Sequence, residues 1–233
     1  MKCLRKTLIF FGLILVSIVG QTDYLTGMAA FAREDYQIAL REWRPLAEQG
    51  QAEAQFNVGA LYDQGLGVER DYAQAALWYQ RAAAQGYAQA QYNLAVLYAS
   101  GLGVAQDYAQ AALWYRQAAL QGLQEAQFNL AVLYENGVGV ARNDAEALDW
   151  YRRAAEQGHA AAQNNLGVLY ANGLGAPRNL PLAYAWYEAA ARRGNAKARA
   201  NRDQLTRHLN AAQLAEAQQL AEEYARRYRP APP

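Results

Sequence analysis

The sequence predicts an all-α fold: an α/α solenoid of stacked helical hairpins with a C-terminal capping helix. Three observations predict it. Gly50, Gly86, Gly122, Gly158 and Gly194 recur at a constant interval of 36 residues, and a fixed period between about 20 and 50 residues marks a solenoid. Within a period, Ala54, Val58, Leu61 and Tyr62 sit at i, i+4, i+7 and i+8, one apolar face at helical spacing. Gly65 and Gly67 then part this helix from a second one. Glycine reaches positive φ without steric cost, so such a pair can stop a helix and reverse the chain.

Residues 1–20 read as a signal peptide or N-terminal anchor. Lys2, Arg5 and Lys6 precede Thr7 to Gly20, 14 residues without a charge. A positive start and a short apolar run are the layout of a secretory signal. A stable helical span takes about 20 apolar residues, so a membrane anchor is the weaker reading. The expected location is exported, either periplasmic or secreted. The alternative is an uncleaved inner-membrane anchor with the body facing the periplasm, and membrane contact is expected only through this segment. The single cysteine, Cys3, precedes the apolar run and can form no intramolecular disulfide.

Residues 21–50 read as an atypical first hairpin. Tyr24 to Arg33 forms a short helix A, and Asp35 begins a helix B pattern in the place that Asp71 holds in the next unit. The glycine turn is absent, as suits an end repeat with one side facing water. Pro45 falls inside the helical pattern and is expected to kink helix B or delay its start.

Residues 51–194 are four repeats of 36. The first reads AEAQFNVGALYDQGLGVERDYAQAALWYQRAAAQG from Ala52 to Gly86. Asp71 is the expected N-cap of helix B. Ala75, Trp78, Tyr79, Ala82 and Ala83 mark its inner face, and Gly86 its C′ residue. A single hairpin has nowhere to bury Trp78, so neighbours must stack. In the fourth repeat, Asn164 replaces the aromatic of Phe56, Tyr92 and Phe128, and Pro181 suits a first helical turn after Asn179 as N-cap. The repeats together read as one elongated domain with a thin continuous core.

The Gln-Phe-Asn-Val-Gly run, the Gly-Leu-Gly-Val turn and the Ala-Leu-Trp-Tyr run resemble Sel1-like repeats, relatives of the tetratricopeptide repeats. The resemblance covers four full units. It implies an interaction scaffold, often in bacterial envelope or signalling roles, and it names no partner.

Residues 195–229 read as C-terminal capping helices. Asn195 to Leu209 forms a fifth helix A. Asn210 then leads a helix with Leu214, Ala217, Leu220, Ala221 and Tyr224 on one face. Arg226, Arg227 and Arg229 stand near its end, where cations suit the helix dipole. Residues 230–233, which contain three prolines, are an expected disordered tail.

Charge is balanced overall at +1, but unevenly placed. Residues 21–191 hold 10 Lys/Arg against 17 Asp/Glu, a net of −7, whereas residues 192–233 hold 9 against 4, a net of +5. An acidic body does not suit nucleic acid, which needs a continuous basic surface.

The residue types of catalysis are scarce. Beyond residue 20 the only serine is Ser100, and the only histidines are His159 and His208. Ser100 reads as a polar turn residue, His159 as a tolerated loop residue, and His208 as lying on the polar side of a terminal helix. No His, Cys or carboxylate cluster has metal-ligand spacing. Glu222 and Glu223 are helix neighbours that do not face each other. A Gly-x-Gly with no preceding strand is not a nucleotide fingerprint. No enzyme activity and no cofactor are expected.

What remains is a surface. The sequence points to a non-enzymatic protein–protein interaction scaffold of the bacterial envelope, binding a peptide or protein through the concave face of the solenoid. A cell-wall-directed hydrolase and a structural subunit attached to an assembly by its ends stay open as alternatives. The candidate partner-binding residues lie on helix A of each repeat. They are Glu53, Phe56, Ala60 and Asp63; Gln89, Tyr92 and Val96; Glu125, Phe128, Val132 and Glu135; and Asn164. In the competing reading, Phe56, Tyr92 and Phe128 are core between adjacent units. Asn57, Asn93, Asn129 and Asn165, present in every repeat, are expected to bond backbone groups of the next helix.

Overall fold

The computed structural model describes residues 23–228. The expected signal at 1–20 and the tail at 230–233 lie outside the described residues. Among those described there are twelve helices and no strand. They form two compact units that divide between Gln106 and Asp107, inside the second repeat's turn. Each unit is a succession of helical hairpins, the α/α solenoid architecture that the period predicts.

The first unit contains α1 (23–32), α2 (Tyr36–Glu48), α3 (Ala52–Gln64), α4 (Tyr72–Ala84) and α5 (Ala88–Ser100). Its core gathers Ala30, Ala39, Trp43, Leu46, Ala47, Ala54, Val58, Leu61 and Trp78. These come from four consecutive helices, so no hairpin here has a core of its own. Pro45 neither delays α2, which begins at Tyr36, nor interrupts it. Asp35 makes no side-chain cap; instead Arg33 Nε donates to it at 3.3 Å. The chain reverses through Glu34, whose φ of 65° lies in the left-handed region that later turns give to glycine.

The second unit contains α6 (Tyr108–Leu120), α7 (Gln124–Asn136), α8 (Asp144–Glu156), α9 (Ala160–Asn172), α10 (Leu180–Arg192), α11 (Ala196–Thr206) and α12 (Ala211–Arg227). The caps follow the sequence. Asp71 accepts from the Ala73 and Gln74 amides, and Asp107 and Asn143 repeat the arrangement. Asn179 accepts from Leu182 N, with Pro181 in the first turn. Gly86 has φ 89°, and Tyr87 N reaches back to Ala82 O at 3.1 Å, closing α4 in a Schellman pattern.

The second glycine of each turn has a further role. Gly67, Gly103, Gly139 and Gly175 all have φ near 70°. Each presses on the first turn of the preceding helix B: Gly67 on Tyr36 and Gln37, Gly103 on Tyr72 and Ala73, Gly139 on Tyr108, Gly175 on Asp144 and Ala145. Successive hairpins therefore meet backbone to backbone at this point, and no side chain fits between them.

The capping helix packs as its apolar face predicts. Ala217 and Ala221 are buried, and the Tyr224 ring lies 4.6 Å from Trp186 on α10. Arg192 of α10 pairs with Glu222 of α12. Asn210 and Gln213 form a reciprocal capping box at its start. His208 is an exposed turn residue beyond the end of α11, rather than part of a helix.

Candidate functional site

In the first unit, helix A of the first repeat is α3. Phe56 is half-buried, with its ring centroid 5.8 Å from Tyr79 and 5.1 Å from Tyr87. In the second unit, Phe128 on α7 repeats this, 5.8 Å from Tyr151 and 4.6 Å from His159. Each ring thus lies between the tyrosine of its own helix B and the N-cap residue of the next helix A. Tyr92, Ala60, Val96 and Val132 are also half-buried. Phe56 and Phe128 therefore pack between repeats, as the competing reading expects, and each keeps a solvent-facing edge.

The acidic residues divide into two kinds. Glu53 is exposed and Glu125 half-buried, both in the first turn of helix A. Asp63 and Glu135, read from sequence as flanking rim charges, are held from within: Tyr79 Oη donates to Asp63 at 3.1 Å, and Tyr151 Oη to Glu135 at 2.6 Å. Burial and the neighbouring carboxylate push both phenols well above the ordinary tyrosine range. Gln89 is exposed. Asn164 is 3% exposed; it donates to Asn165 and accepts from Asn201 Nδ2 at 2.9 Å, so its side chain faces the interior.

Three of the four repeated asparagines bond tyrosine hydroxyls rather than the backbone of the next helix. Asn165 Nδ2 donates to Tyr151 Oη at 3.0 Å, Asn93 bonds Tyr79, and Asn57 Nδ2 donates to Tyr24 Oη at 3.2 Å. Backbone contacts between repeats fall to another column. Gln55, Gln91, Gln127 and Gln163 are buried, and each donates to a carbonyl near the end of the preceding helix B: Ala47, Ala83, Ala119 and Ala155, at 2.9–3.1 Å. Gln85 and Gln157 in turn donate to Gln55 and Gln127 at 2.8 Å. The signal for this role was the same glutamine recurring inside an apolar face.

His159 is not a passive loop residue. It is the N-cap of α9, with Nδ1 accepting from Ala162 N at 3.1 Å, and its ring stacks on Phe128. Burial pushes its pKa down, while Glu125 pulls partly against this. Ser100 is the exposed last residue of α5. Among the described residues no three His, Cys, Asp or Glu side chains converge as a metal site, and no helix is long and apolar enough to cross a membrane.

The family model described as Sel1 repeat matches residues 52–87, 88–123, 124–159 and 160–195. No curated protein gives a significant match. Among solved structures, the chain is similar to a Sel1 repeat protein from Oxalobacter formigenes: 33% identity, 88% of this chain and 85% of that one covered, TM-score 0.76. It is also similar to c5321, described as a protective antigen present in uropathogenic Escherichia coli strains displaying an SLR fold: 33% identity, 83% of this chain covered, TM-score 0.54. The match spans about half of that longer chain, 49%. A sel1 repeat protein from Klebsiella pneumoniae shares the fold at 21% identity, with 80% and 93% of the two chains covered and a TM-score of 0.50.

Proposed function

The chain belongs to the Sel1 repeat family, and from that premise we propose that it is a non-enzymatic scaffold of the bacterial envelope that binds a peptide or protein along its helix A faces. Sel1 repeat folds are typically protein-interaction scaffolds and generally non-enzymatic. The observation that carries the reading is the aromatic column. Phe56 and Phe128 are held by ring contacts yet half-exposed, with a first-turn glutamate beside each. Interface energy concentrates in such pre-positioned aromatic anchors. The envelope location is supported by the charged start and apolar run of residues 1–20.

Two experiments test this. Intact mass of the protein recovered from its native envelope fraction should show loss of about 20 residues; a full-length species found only in the cytosol contradicts export. Partner capture from that fraction should fall with Phe56→Ala and Phe128→Ala. Capture lost only in surface variants of α1 and α12 would favour attachment by the ends instead.

A further inference from the structure

We propose that Tyr24, Glu53, Phe56 and Tyr87 form a seat for one cationic side chain, Lys or Arg, of a bound polypeptide. The inference rests on the scaffold reading and adds the chemistry of one anchor. All four residues belong to the first unit. α1 supplies Tyr24, α3 supplies Glu53 and Phe56, and the residue that opens α5 is Tyr87. The Phe56 and Tyr87 rings lie 5.1 Å apart, inclined at 41°. Asn57 Nδ2 holds the Tyr24 hydroxyl beside α3 at 3.2 Å. All three rings are half-buried, so each keeps some water-facing surface. Glu53 stands three residues before Phe56, on the same side of the helix. Burial pushes the Tyr87 hydroxyl up, with further contributions from the neighbouring Tyr24 and Glu53.

A ring face beside a carboxylate is the chemistry that recognises ammonium and guanidinium groups. Elsewhere the fold covers such faces with its own cations: Arg81 lies 4.5 Å from the Trp78 ring centre, and Arg153 lies 4.9 Å from Trp150. Among the described residues no cation pairs with Glu53, and none covers Phe56 or Tyr87. The net −7 of residues 21–191 draws a basic segment from a distance. In the second unit the slot of Tyr87 holds His159, whose ring nitrogen is committed to the Ala162 amide. The second unit therefore has Phe128, Glu125 and an imidazole where the first has Phe56, Glu53 and a phenol.

The test uses the full chain and two probes, hexalysine and its fully ε-acetylated form, at 0.15 M salt. Hexalysine should bind, and acetylation should weaken it at least tenfold. Glu53→Gln and Tyr87→Leu should each weaken hexalysine at least fivefold. Leu123 occupies the Tyr87 slot in the next repeat, so the second variant is compatible with the fold. Glu69→Gln, an exposed carboxylate in the turn after α3, should change affinity less than twofold. Equal binding of the acetylated peptide, or an equal loss with Glu69→Gln, overturns the seat. Self-association abolished by Tyr87→Leu also overturns it, since the occupant is then a second copy. If native-partner affinity falls with Phe128→Ala but not with Glu53→Gln or Tyr87→Leu, the seat is wrong and the scaffold reading stands; if none of the three lowers it, both fall.

Discussion

The backbone of Gly103 rests directly on the backbone of Tyr72: a Cβ at Gly103 would fall on the Tyr72 carbonyl. The same contact recurs between Gly139 and Tyr108. It ties the turn of one hairpin to helix B of the one before.

Three glycines of the first unit separate conformational strain from steric exclusion. Gly86 has φ 89° with open space around it; Gly101 has φ 67° and a Cβ there would lie 3.1 Å from Gln106 Cβ; Gly103 has φ 69° and no space. Gly86→Ala should cost about 1 kcal/mol, from backbone strain alone. Gly103→Ala should cost about 3 kcal/mol or more, because overpacking adds to that strain, and Gly101→Ala should fall between. Denaturant unfolding of the three variants checks the order; equal losses would mean that the Gly103 contact carries no energy of its own.

The glutamine column gives a second graded comparison. Gln55 both donates to Ala47 O and accepts from Gln85. Gln163 donates to Ala155 O, but its own oxygen is buried without a partner. The residue at the position of Gln85 in that repeat is Arg193, which turns to the Tyr228 carbonyl instead. Gln55→Met removes two hydrogen bonds, although the exposed Gln85 amide keeps Gly50 O at 2.9 Å, and should cost about 2 kcal/mol; Gln163→Met removes one and also takes away the unpartnered oxygen, so it should cost roughly 1 kcal/mol less. Chemical denaturation of both variants reads the difference.

His159 makes stability depend on pH. Its cap needs a neutral Nδ1, and burial depresses its pKa below the ordinary value. The native state therefore binds fewer protons than the unfolded chain, so this stability is fully present above about pH 6.5 and is lost as pH falls through the depressed pKa. His159→Asn keeps a capping oxygen, as Asn195 does in the next repeat by accepting from Ala198 N at 2.9 Å. It should remove this part of the pH dependence. Melting curves from pH 7.5 to 5 of the two proteins should diverge at the acid end, and parallel curves would contradict the assignment.

Most of the fold was legible because each structural decision is written repeatedly. The period of 36, the caps at Asp71 and Asn179 and the turn glycines act within a few residues of sequence, where spacing suffices. The site was less legible because its contacts join residues far apart in sequence. Asp63 looks like a solvent charge on α3 until Tyr79, 16 residues on, brings a hydroxyl to it. Asn164 looks like a polar replacement for a surface aromatic until Asn201 meets it. His159 sits in a slot filled elsewhere by Tyr87 and Leu123, which do not cap with their side chains; only Asn195 hinted at a cap.

The central claim is that the rings on helix A bind a partner as well as packing between repeats. Its most direct test is to measure native-partner affinity and melting temperature on Phe128→Ala, with affinity taken well below the melting transition. The ring contacts Tyr151 and His159, so melting should fall in either case. The account predicts that the folded variant also binds about 30-fold more weakly, corresponding to roughly 2 kcal/mol for a buried aromatic anchor. Unchanged affinity with a lowered melting temperature would contradict it and reduce the column to packing alone.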